Sequence, residues 1–410
     1  MILILLVALA VAGLGYVNIQ YTRRYPGGND FIPRWLGTRL FLMQGIDPYS
    51  QEATLEIQKM IFGRPARTDE DQSLFVYPFY STLIFSPFAV IADYPAARGL
   101  WMLVLELSVL AITGISISLA RWRLSTLGLA VIFIFAILWY HSLRPMINGN
   151  PAIVVTLFIA LALLAIRNES DVLAGVFLAF STIKPQMVFL FILLVMIWAV
   201  SKKRWKLIIS TLSTLVILVV IGSFLIPNWI LHNIWQMLAY PKYTLPGSPG
   251  AILAGWLPGV GSKVGLALTL VLAVLLIWEW WQVLRKEFRW FYWTACLTLT
   301  LTNLIGIRTE TANYIAMLPA LILVFSIWDE RWRLVGKIMI VLSLLSLFFG
   351  LWWLFITTIQ PGVQPIQSPV MFFPVPLFLL IGLYWVRWWA IQPTRPLLDE
   401  LRSAQRAGLE

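Results

Sequence analysis

The first candidate for chemistry is Asp30, an acid in a polar segment (residues 21–74) of about fifty residues, a length that usually marks a functional or a disordered loop. Asp30 follows Gly27-Gly28-Asn29, and its carboxylate suits a general base that removes a proton from a hydroxyl. The structural alternative is a helix N-cap, because a helical pattern follows and aspartate is among the best capping residues. The two roles are compatible only if one carboxylate oxygen stays free.

A second candidate is the polar break Ile183-Lys184-Pro185-Gln186 within a mostly apolar stretch. If Lys184 lay at bilayer depth, its charge would be costly there and would indicate a function. If two short helices flank the break, Lys184 lies between them at the outer surface, where a cation suits a phosphate or pyrophosphate group. Gln186 is a candidate ligand for the same group. Snorkelling of the ammonium group toward lipid headgroups is the competing interpretation of Lys184.

Two further candidates lie where structural roles compete with substrate binding. Asp47 belongs to a turn after a predicted helix, with Gly45 as its C-cap. Tyr77 precedes Pro78, and proline suits the first turn of the short apolar helix that follows. Each residue is a candidate substrate contact beside its structural interpretation.

The remaining candidates lie between later apolar runs. His141, Arg144, Asn148 and Asn150 form a polar stretch that is either a solvated loop or a binding site for a sugar or phosphate. Further along, a surface ion pair is one interpretation of the Arg308-Thr309-Glu310 segment. In the functional interpretation, Arg308 contacts a phosphate and Glu310 contacts the substrate.

The composition is that of a membrane protein. Hydrophobic residues make up 60% of the chain and charged residues 12%, with a mean hydropathy of +0.83. Soluble domains carry about twice that share of charge, and the 21 Trp suit aromatic belts at two membrane interfaces. The net charge of +11 comes without a nucleic-acid-binding pattern, so we predict no nucleic-acid partner. The lone Cys296 excludes an internal disulfide and a cysteine-based metal site.

Apolar runs predict an all-α polytopic membrane protein of about 12 transmembrane helices in one domain, residues 1–391. A long first extracytoplasmic loop (21–97) carries interfacial helices, and its apolar run at 79–92 is too short for a span. Residues 392–410 form a cytoplasmic tail. The predicted spans are 2–20, 100–120, 124–140, 152–166, 172–183, 187–200, 207–226, 264–284, 291–304, 314–328, 334–358 and 370–389.

The distribution of charge orients these spans. If residue 1 is cytoplasmic and 79–92 is a re-entrant or interfacial helix, most Lys and Arg fall in cytoplasmic loops, as the positive-inside rule requires. A full span at 79–92 would invert every later loop and violate that rule. We therefore predict cytoplasmic termini and one outer face that gathers the polar candidates. These are Asp30, Arg34, Asp47, Tyr77, His141, Arg144, Asn148, Asn150, Lys184, Gln186, Arg308 and Glu310.

Several short motifs follow one another in an order that resembles glycosyltransferase family 87, a family of bacterial integral-membrane mannosyltransferase-like proteins with the GT-C fold. The resemblance covers about residues 28–206, and the family pattern reads GxDPY, YPP, NGQ and KPQ after the first-loop aspartate. This chain has Phe79 where the family has a second proline, and Asn150 where it has glutamine. The matching segments are Asp30, Gly45-Ile46-Asp47-Pro48-Tyr49, Tyr77-Pro78, Asn148-Gly149-Asn150 and Ile183-Lys184-Pro185-Gln186.

The resemblance implies an enzyme that moves a hexose, with mannose as the first expectation, from a polyprenyl-phosphate sugar donor to a lipid or glycan acceptor. Asp30 matches the family's catalytic base, and direct attack by the activated hydroxyl implies inversion. The leaving phosphate needs cations, for which Lys184, Arg144 and Arg308 are candidates. At the candidate base, Asn29-Asp30 supplies only one acid, so no metal and no other cofactor is expected. The expected partners are membrane lipids, the donor and the acceptor, at the outer side of the plasma (inner) membrane.

Other multi-span classes fit the composition. A transporter also has about 12 spans and buried charge, but transporters usually contain internal repeats, and this sequence shows none. A polysaccharide polymerase or ligase normally carries its large loop later in the chain. A non-enzymatic scaffold would give Asp30, Lys184 and Arg308 no reason to converge.

Overall fold

The computed structural model describes residues 2–243, 247–305, 309–360 and 367–392, together with 396, 397 and 400. Within these residues the chain is helical and has no β-strand, which confirms the predicted all-α class. The α-helices are α1 (Ile2–Arg24), α2 (Ile32–Gln44), α3 (Gln51–Phe62), α4 (Thr82–Ala89), α5 (Tyr94–Leu119), α6 (Thr126–Leu138), α7 (Tyr140–Asn148), α8 (Ala152–Arg167), α9 (Asp171–Ser181), α10 (Pro185–Ser201), α11 (Trp205–Leu225), α12 (Trp229–Tyr243), α13 (Pro249–Trp256), α14 (Gly261–Val283), α15 (Phe288–Thr302), α16 (Leu318–Trp332), α17 (Leu334–Leu345), α18 (Leu351–Thr358) and α19 (Pro374–Ile391). Short 3₁₀ segments occur at Phe79–Ser81, Thr311–Met317 and Pro369–Phe372, and a π-helical turn at Ser346–Gly350 joins α17 to α18.

Seven helical segments of the described chain are long and apolar enough to cross a membrane. An eighth results if α6 and α7, which are bent by 47° relative to each other, form one span. The predicted count of about 12 is therefore not confirmed. The seven segments are Ile4–Arg24, Tyr94–Leu119, Trp205–Leu225, Gly261–Val283, Thr311–Trp332, Leu334–Thr358 and Pro369–Ile391.

Some of the other predicted spans correspond to helices that are shorter than these segments and are buried in the protein. The runs at 152–166 and 291–304 correspond to α8 and α15, of 16 and 15 residues. Eleven residues of α8 and twelve of α15 are buried. Their apolar side chains pack against other helices, and hydropathy does not distinguish a protein neighbour from lipid. The outer helices differ, since α14 exposes a row of large apolar side chains that suits a lipid environment.

The apolar run at 79–92 folds as a 3₁₀ turn followed by α4, which ends at Ala89. Two side chains of α2 satisfy carbonyls at its end. The Trp35 indole donates to the Phe88 carbonyl at 3.0 Å, and Arg39 donates to the Ala89 carbonyl at 2.8 Å. At about 1.5 Å of rise per residue, this segment does not reach across a bilayer core. Its length fits the prediction that it is not a full span.

The helix that organises the polar region is α5, which packs against α1, α8 and α16. Its first turns carry Tyr94, Arg98 and Trp101, and the latter two side chains are buried. All three bind backbone carbonyls of other segments. The start of α5 therefore fixes the positions of loops that are far apart in sequence.

Candidate active site

The loop that carries Asp30 needs glycine at two positions. Gly27 and Gly28 have φ angles of 140° and 82°, which side chains disfavour. A Cβ at Gly28 would lie 2.6 Å from the Tyr94 hydroxyl and 2.7 Å from Arg98 Nε. The Tyr94 hydroxyl donates to the Gly27 carbonyl at 2.8 Å. The glycine pair thus lets the loop lie directly on α5, and Asp30 follows two residues later.

Helix α5 also brings the end of α7 to this loop. Arg98 donates to the Tyr25 carbonyl at 2.8 Å and to the Ile147 carbonyl at 2.9 Å. The Trp101 indole donates to the Gly149 carbonyl at 2.9 Å. Gly149 has φ 74°, and a Cβ there would lie 2.6 Å from Cβ of Phe31. The two flanking asparagines, Asn148 and Asn150, are therefore held beside Asp30.

Asp30 binds both of these asparagines. Nδ2 of Asn148 donates to Oδ2 of Asp30 at 2.5 Å, and Nδ2 of Asn150 donates to the same oxygen at 2.9 Å. Oδ1 has no hydrogen bond to the described part of the chain, and the residue is only half-buried. The N-cap of α2 is Phe31, without a side-chain cap, so the capping interpretation of Asp30 is wrong. One carboxylate oxygen is thus free to accept a proton.

Lys184 and Glu310 lie on the other side of Asn150. Lys184 Nζ donates to Glu310 Oε1 at 2.5 Å and to Asn150 Oδ1 at 3.0 Å. Asn150 Nδ2 also donates to Glu310 Oε1, at 3.2 Å. The Lys184 side chain is 1% exposed, so the snorkelling interpretation is wrong, while that of Glu310 is 40% exposed. The charge of Lys184 is therefore largely neutralised by Glu310 before any phosphate binds.

Arg34 belongs to this site, although the only prediction for it was a position on the outer face, without a role. Its guanidinium lies 4.2 Å from the centre of the Tyr77 ring. It forms no ion pair within 4.0 Å in the described part of the chain, and its Nε is buried without a hydrogen bond. Burial acts to lower the pKa of Arg34, but Tyr77, Asp30 and other acidic neighbours raise it above its ordinary value. The signal in the sequence was its position one helical turn after Asp30.

The two carboxylates of the site have different proton affinities. Burial raises the pKa of Asp30, and the negative charge of Glu310 raises it further, against the opposing effects of Arg34, Asn150 and Lys184. Burial also acts to raise the pKa of Glu310, but the charge and hydrogen bond of Lys184, with Asn150 and Arg34, lower it below its ordinary value. When the environments of two carboxylates separate their pKa values, the group with the higher pKa suits a base and the group with the lower pKa keeps its negative charge. Asp30 is the candidate base and Glu310 the fixed charge.

We refer to Asp30, Arg34, Asn148, Asn150, Lys184 and Glu310 as the Asp30 cluster. Tyr77 borders it, because its buried ring stacks on Arg34. Its carbonyl accepts a hydrogen bond from the Tyr49 hydroxyl at 2.5 Å. Tyr77 therefore positions Arg34.

Asp47 lies outside the cluster. α2 ends at Gln44, and its C-cap Gly45 has φ 70°, as the turn interpretation requires. Asp47 Oδ1 accepts the backbone N–H of Tyr49 at 2.8 Å, and Oδ2 lies 3.1 Å from Nδ1 of His232. It supports Tyr49, which in turn supports Tyr77, so its observed contacts are structural.

His141 and Arg144 form a separate polar group beside the cluster. Nδ1 of His141 lies 2.8 Å from the carbonyl oxygen of Thr311. Thr311 follows Glu310 directly in the chain. Arg144 donates to Gln367 Oε1 at 3.5 Å, and the Thr311 hydroxyl donates to the same oxygen at 2.6 Å. Neither side chain contacts Asp30.

Two further predicted ligands are placed differently. Gln186 is half-buried in the first turn of α10, with no side-chain hydrogen bond in the described part of the chain. Arg308 lies outside the described residues. Among the residues that are described, no group of three or more His, Cys, Asp or Glu could hold a metal ion. The expected independence from metal stays a prediction.

Comparison with known proteins identifies a family. Residues 75–305 match the sequence model of glycosyltransferase family 87, which is more than half of the 410 residues. Two further comparisons, one with curated proteins and one with solved structures, found no match. The matched range contains Asn148, Asn150 and Lys184 of the Asp30 cluster, while Asp30 and Arg34 precede it.

Proposed function

Because this chain belongs to glycosyltransferase family 87, we propose that it transfers a hexose, with mannose as the first expectation, from a polyprenyl-phosphate donor. The acceptor is a lipid or glycan at the extracytoplasmic face of the plasma membrane. The observation that carries the proposal is the free Oδ1 of Asp30 inside a cluster that also holds two cations. Family membership favours glycosyl transfer over the transport and polymerase alternatives.

In the proposed reaction, Asp30 accepts the proton of the acceptor hydroxyl while that oxygen attacks the anomeric carbon. The bond between the anomeric carbon and the phosphate oxygen breaks, and polyprenyl phosphate leaves with the electron pair. Attack from the face opposite the leaving group inverts the anomeric configuration. Asn148 and Asn150 hold Oδ2, which leaves Oδ1 for the proton. The raised pKa of Asp30 strengthens it as a base.

Arg34 is a better candidate than Lys184 for binding the leaving phosphate. Lys184 is buried and its charge is shared with Glu310 and Asn150. Arg34 is half-buried, stacks on Tyr77 and retains an unpartnered Nε. A guanidinium can bind phosphate through two parallel hydrogen bonds. Lys184 then contributes a fixed positive field, and Arg144 and Arg308 remain candidates for contacts farther along the donor.

The proposed placement in the membrane follows from charge and exposure. The helices α11, α14 and α17 expose large apolar side chains as lipid-facing spans do. Applied to the spans predicted from the sequence, the positive-inside rule favours an outer-side position for the Asp30 cluster, and this is the side that we propose. A polyprenyl tail would lie in the bilayer while its phosphate and sugar reach the cluster. We propose that this reaction needs no metal ion.

The donor class is tested with purified protein in proteoliposomes. Polyprenyl-phosphate mannose and a nucleotide-activated mannose are offered in parallel, with membrane lipid extract as acceptor. The proposal predicts transfer from the lipid-linked donor only, in a reaction that persists in the presence of a metal chelator. The product's anomeric configuration, read by NMR, is predicted to be opposite to that of the donor. Use of the nucleotide sugar, or retention of configuration, would contradict the proposal.

A further inference from the structure

A cavity of about 370 Å³ lies beside the Asp30 cluster and has no place in the proposed donor chemistry. We propose that it is an anion subsite for the acceptor, in which Arg98 binds a phosphate group. The lining residues that carry the argument are Gly27, Gly28, Ile61, Arg98 and Asn148. The assignment to the acceptor rests on the proposed glycosyl transfer, whereas anion binding itself does not.

Arg98 is the observation that points to a ligand. Its side chain is 1% exposed, yet in the described part of the chain it has no carboxylate within 4.0 Å. Two of its nitrogens donate to the carbonyls of Tyr25 and Ile147, and Nε has no hydrogen-bond partner. Buried charges are ordinarily paired with an opposite charge. A guanidinium held by neutral carbonyls at the wall of a cavity therefore suits an anion that the protein itself does not supply.

The glycine pair leaves room for the Arg98 guanidinium at the cavity wall. A Cβ at Gly27 would lie 3.5 Å from Nη2 of Arg98, and one at Gly28 would lie 2.7 Å from Nε. Side chains at these positions would cover or displace the charged group. The loop backbone thus shapes the cavity around Arg98.

The cavity is also connected to the candidate base Asp30 through Asn148. Asn148 lines the cavity and donates to Asp30 Oδ2 at 2.5 Å. Asn150 binds the same oxygen but belongs to the Lys184–Glu310 side of the cluster. Asp30 is therefore hydrogen-bonded both to Asn148 at the cavity wall and to Asn150, which contacts the Lys184–Glu310 ion pair. A molecule whose phosphate is bound by Arg98 would hold neighbouring hydroxyls close to Asp30.

The cavity lies at the level expected of a membrane interface. Tyr21, which lines it, belongs to the last turn of α1, a candidate span that ends with Arg23 and Arg24. The Tyr21 and Tyr25 rings lie 5.2 Å apart, in the manner of an interfacial aromatic belt. Phosphate at this level comes from a lipid headgroup or from a soluble phosphate compound. The two sources are separated by the experiment.

Direct substitution of Arg98 would break the bonds that hold the Asp30 loop, so the test uses opposite charges at the cavity wall. Ile61 lies at this wall on α3 and is half-buried. The variants Ile61→Glu and Ile61→Lys change its size similarly and differ in the sign of charge. Met60→Glu is the matched control, because Met60 is exposed on the same helix and does not line the cavity.

The probe is phosphatidylglycerol in phosphatidylcholine nanodiscs, with bound lipid counted by native mass spectrometry and no sugar donor present. We expect wild type, Ile61→Lys and Met60→Glu to retain phosphatidylglycerol in preference to phosphatidylcholine. Ile61→Glu should retain it about tenfold less, because a carboxylate repels the phosphate. Displacement by inorganic phosphate would assign the site to phosphate of either source, and resistance to it would assign the site to the lipid headgroup.

Equal losses of bound phosphatidylglycerol in Ile61→Glu and Ile61→Lys, or no loss in Ile61→Glu, would overturn the anion subsite. Because no donor is present, this outcome is independent of glycosyl transfer. Lipid binding without any sugar transfer by wild type would leave the anion site standing and remove its assignment to an acceptor.

Discussion

At the scale of single residues, the chemistry depends on how two carboxylates are separated. Asp30 and Glu310 both contact Asn150, but only Glu310 has a direct ammonium partner. The pKa of Asp30 is consequently raised by burial and by Glu310, while that of Glu310 is lowered by Lys184 against the effect of burial. Asp30 can thus take up a proton while Glu310 stays charged.

This separation predicts a pH dependence. The base must be unprotonated, so kcat/KM falls as the pH drops through the raised pKa of Asp30, above the ordinary aspartate value of about 3.9. Glu310→Gln removes a negative neighbour and releases the charge of Lys184, and both changes lower the pKa of Asp30. The acid limb of the pH profile should therefore move to lower pH.

The control for this profile is Glu70→Gln. Glu70 pairs with Arg64 at 2.7 Å in the same polar segment, outside the cluster, and its loss should leave the acid limb in place. Glu310→Gln also leaves Lys184 buried without a carboxylate partner, which can lower the absolute rate for other reasons. The readout is therefore the pH at which the acid limb falls, not the absolute rate. An acid limb that stays fixed, or moves to higher pH, would contradict the assignment.

The residue scale also marks a limit of sequence reasoning. Five residues predicted to share one face lie together in the structure, namely Asp30, Asn148, Asn150, Lys184 and Glu310. The pairing of Lys184 with Glu310 was not predictable, because an ion pair between residues 126 positions apart is a tertiary contact. Arg34 received no role for the same reason, since its stacking on Tyr77 leaves no local pattern.

At the scale of elements, the site is held by close backbone contacts at the start of α5. Gly149 lies between the two asparagines that bind Asp30, and it approaches Phe31 too closely for a side chain. The short motif around Gly149 is visible in the sequence, but its physical reason is not, because the reason is a contact with Phe31, 118 positions earlier. Helix ends such as Gly45 were predictable because their cause is local.

Two glycine substitutions separate conformational strain from the close contact. Gly45→Ala and Gly149→Ala both place a side chain at a φ angle near 70°, which costs about 1 to 2 kcal/mol. A Cβ at Gly45 meets nothing within 4 Å, whereas one at Gly149 lies 2.6 Å from Cβ of Phe31. We predict that Gly149→Ala lowers the thermal unfolding midpoint in detergent more than Gly45→Ala, and that it alone reduces sugar transfer by displacing Asn148 and Asn150. Equal effects of the two substitutions on both readouts would contradict this role of Gly149.

At the scale of the whole molecule, apolar side chains face two different environments, the lipid and the protein interior. Helices such as α11 and α14 present large apolar side chains outward, as expected in lipid, while α8 and α15 bury theirs against protein. The membrane class was therefore predictable from composition, but the number of spans was not. Length alone does not separate the two kinds of helix, because the segment Thr311–Trp332 is long enough to span and is fully buried, whereas the shorter α6 exposes Leu127 and Ile134. The site lies where short helices and loops meet the ends of the longer helices α1 and α5.

The most direct test of the central claim compares Asp30→Asn with Asp69→Asn in the proteoliposome transfer assay. Asp69 is exposed in the same polar segment, so its substitution repeats the chemical change away from the cluster. The account predicts that Asp30→Asn lowers kcat by about 10² to 10⁴-fold, with an unchanged unfolding midpoint, while Asp69→Asn retains wild-type activity. Equal activity of the two variants would contradict Asp30 as the general base.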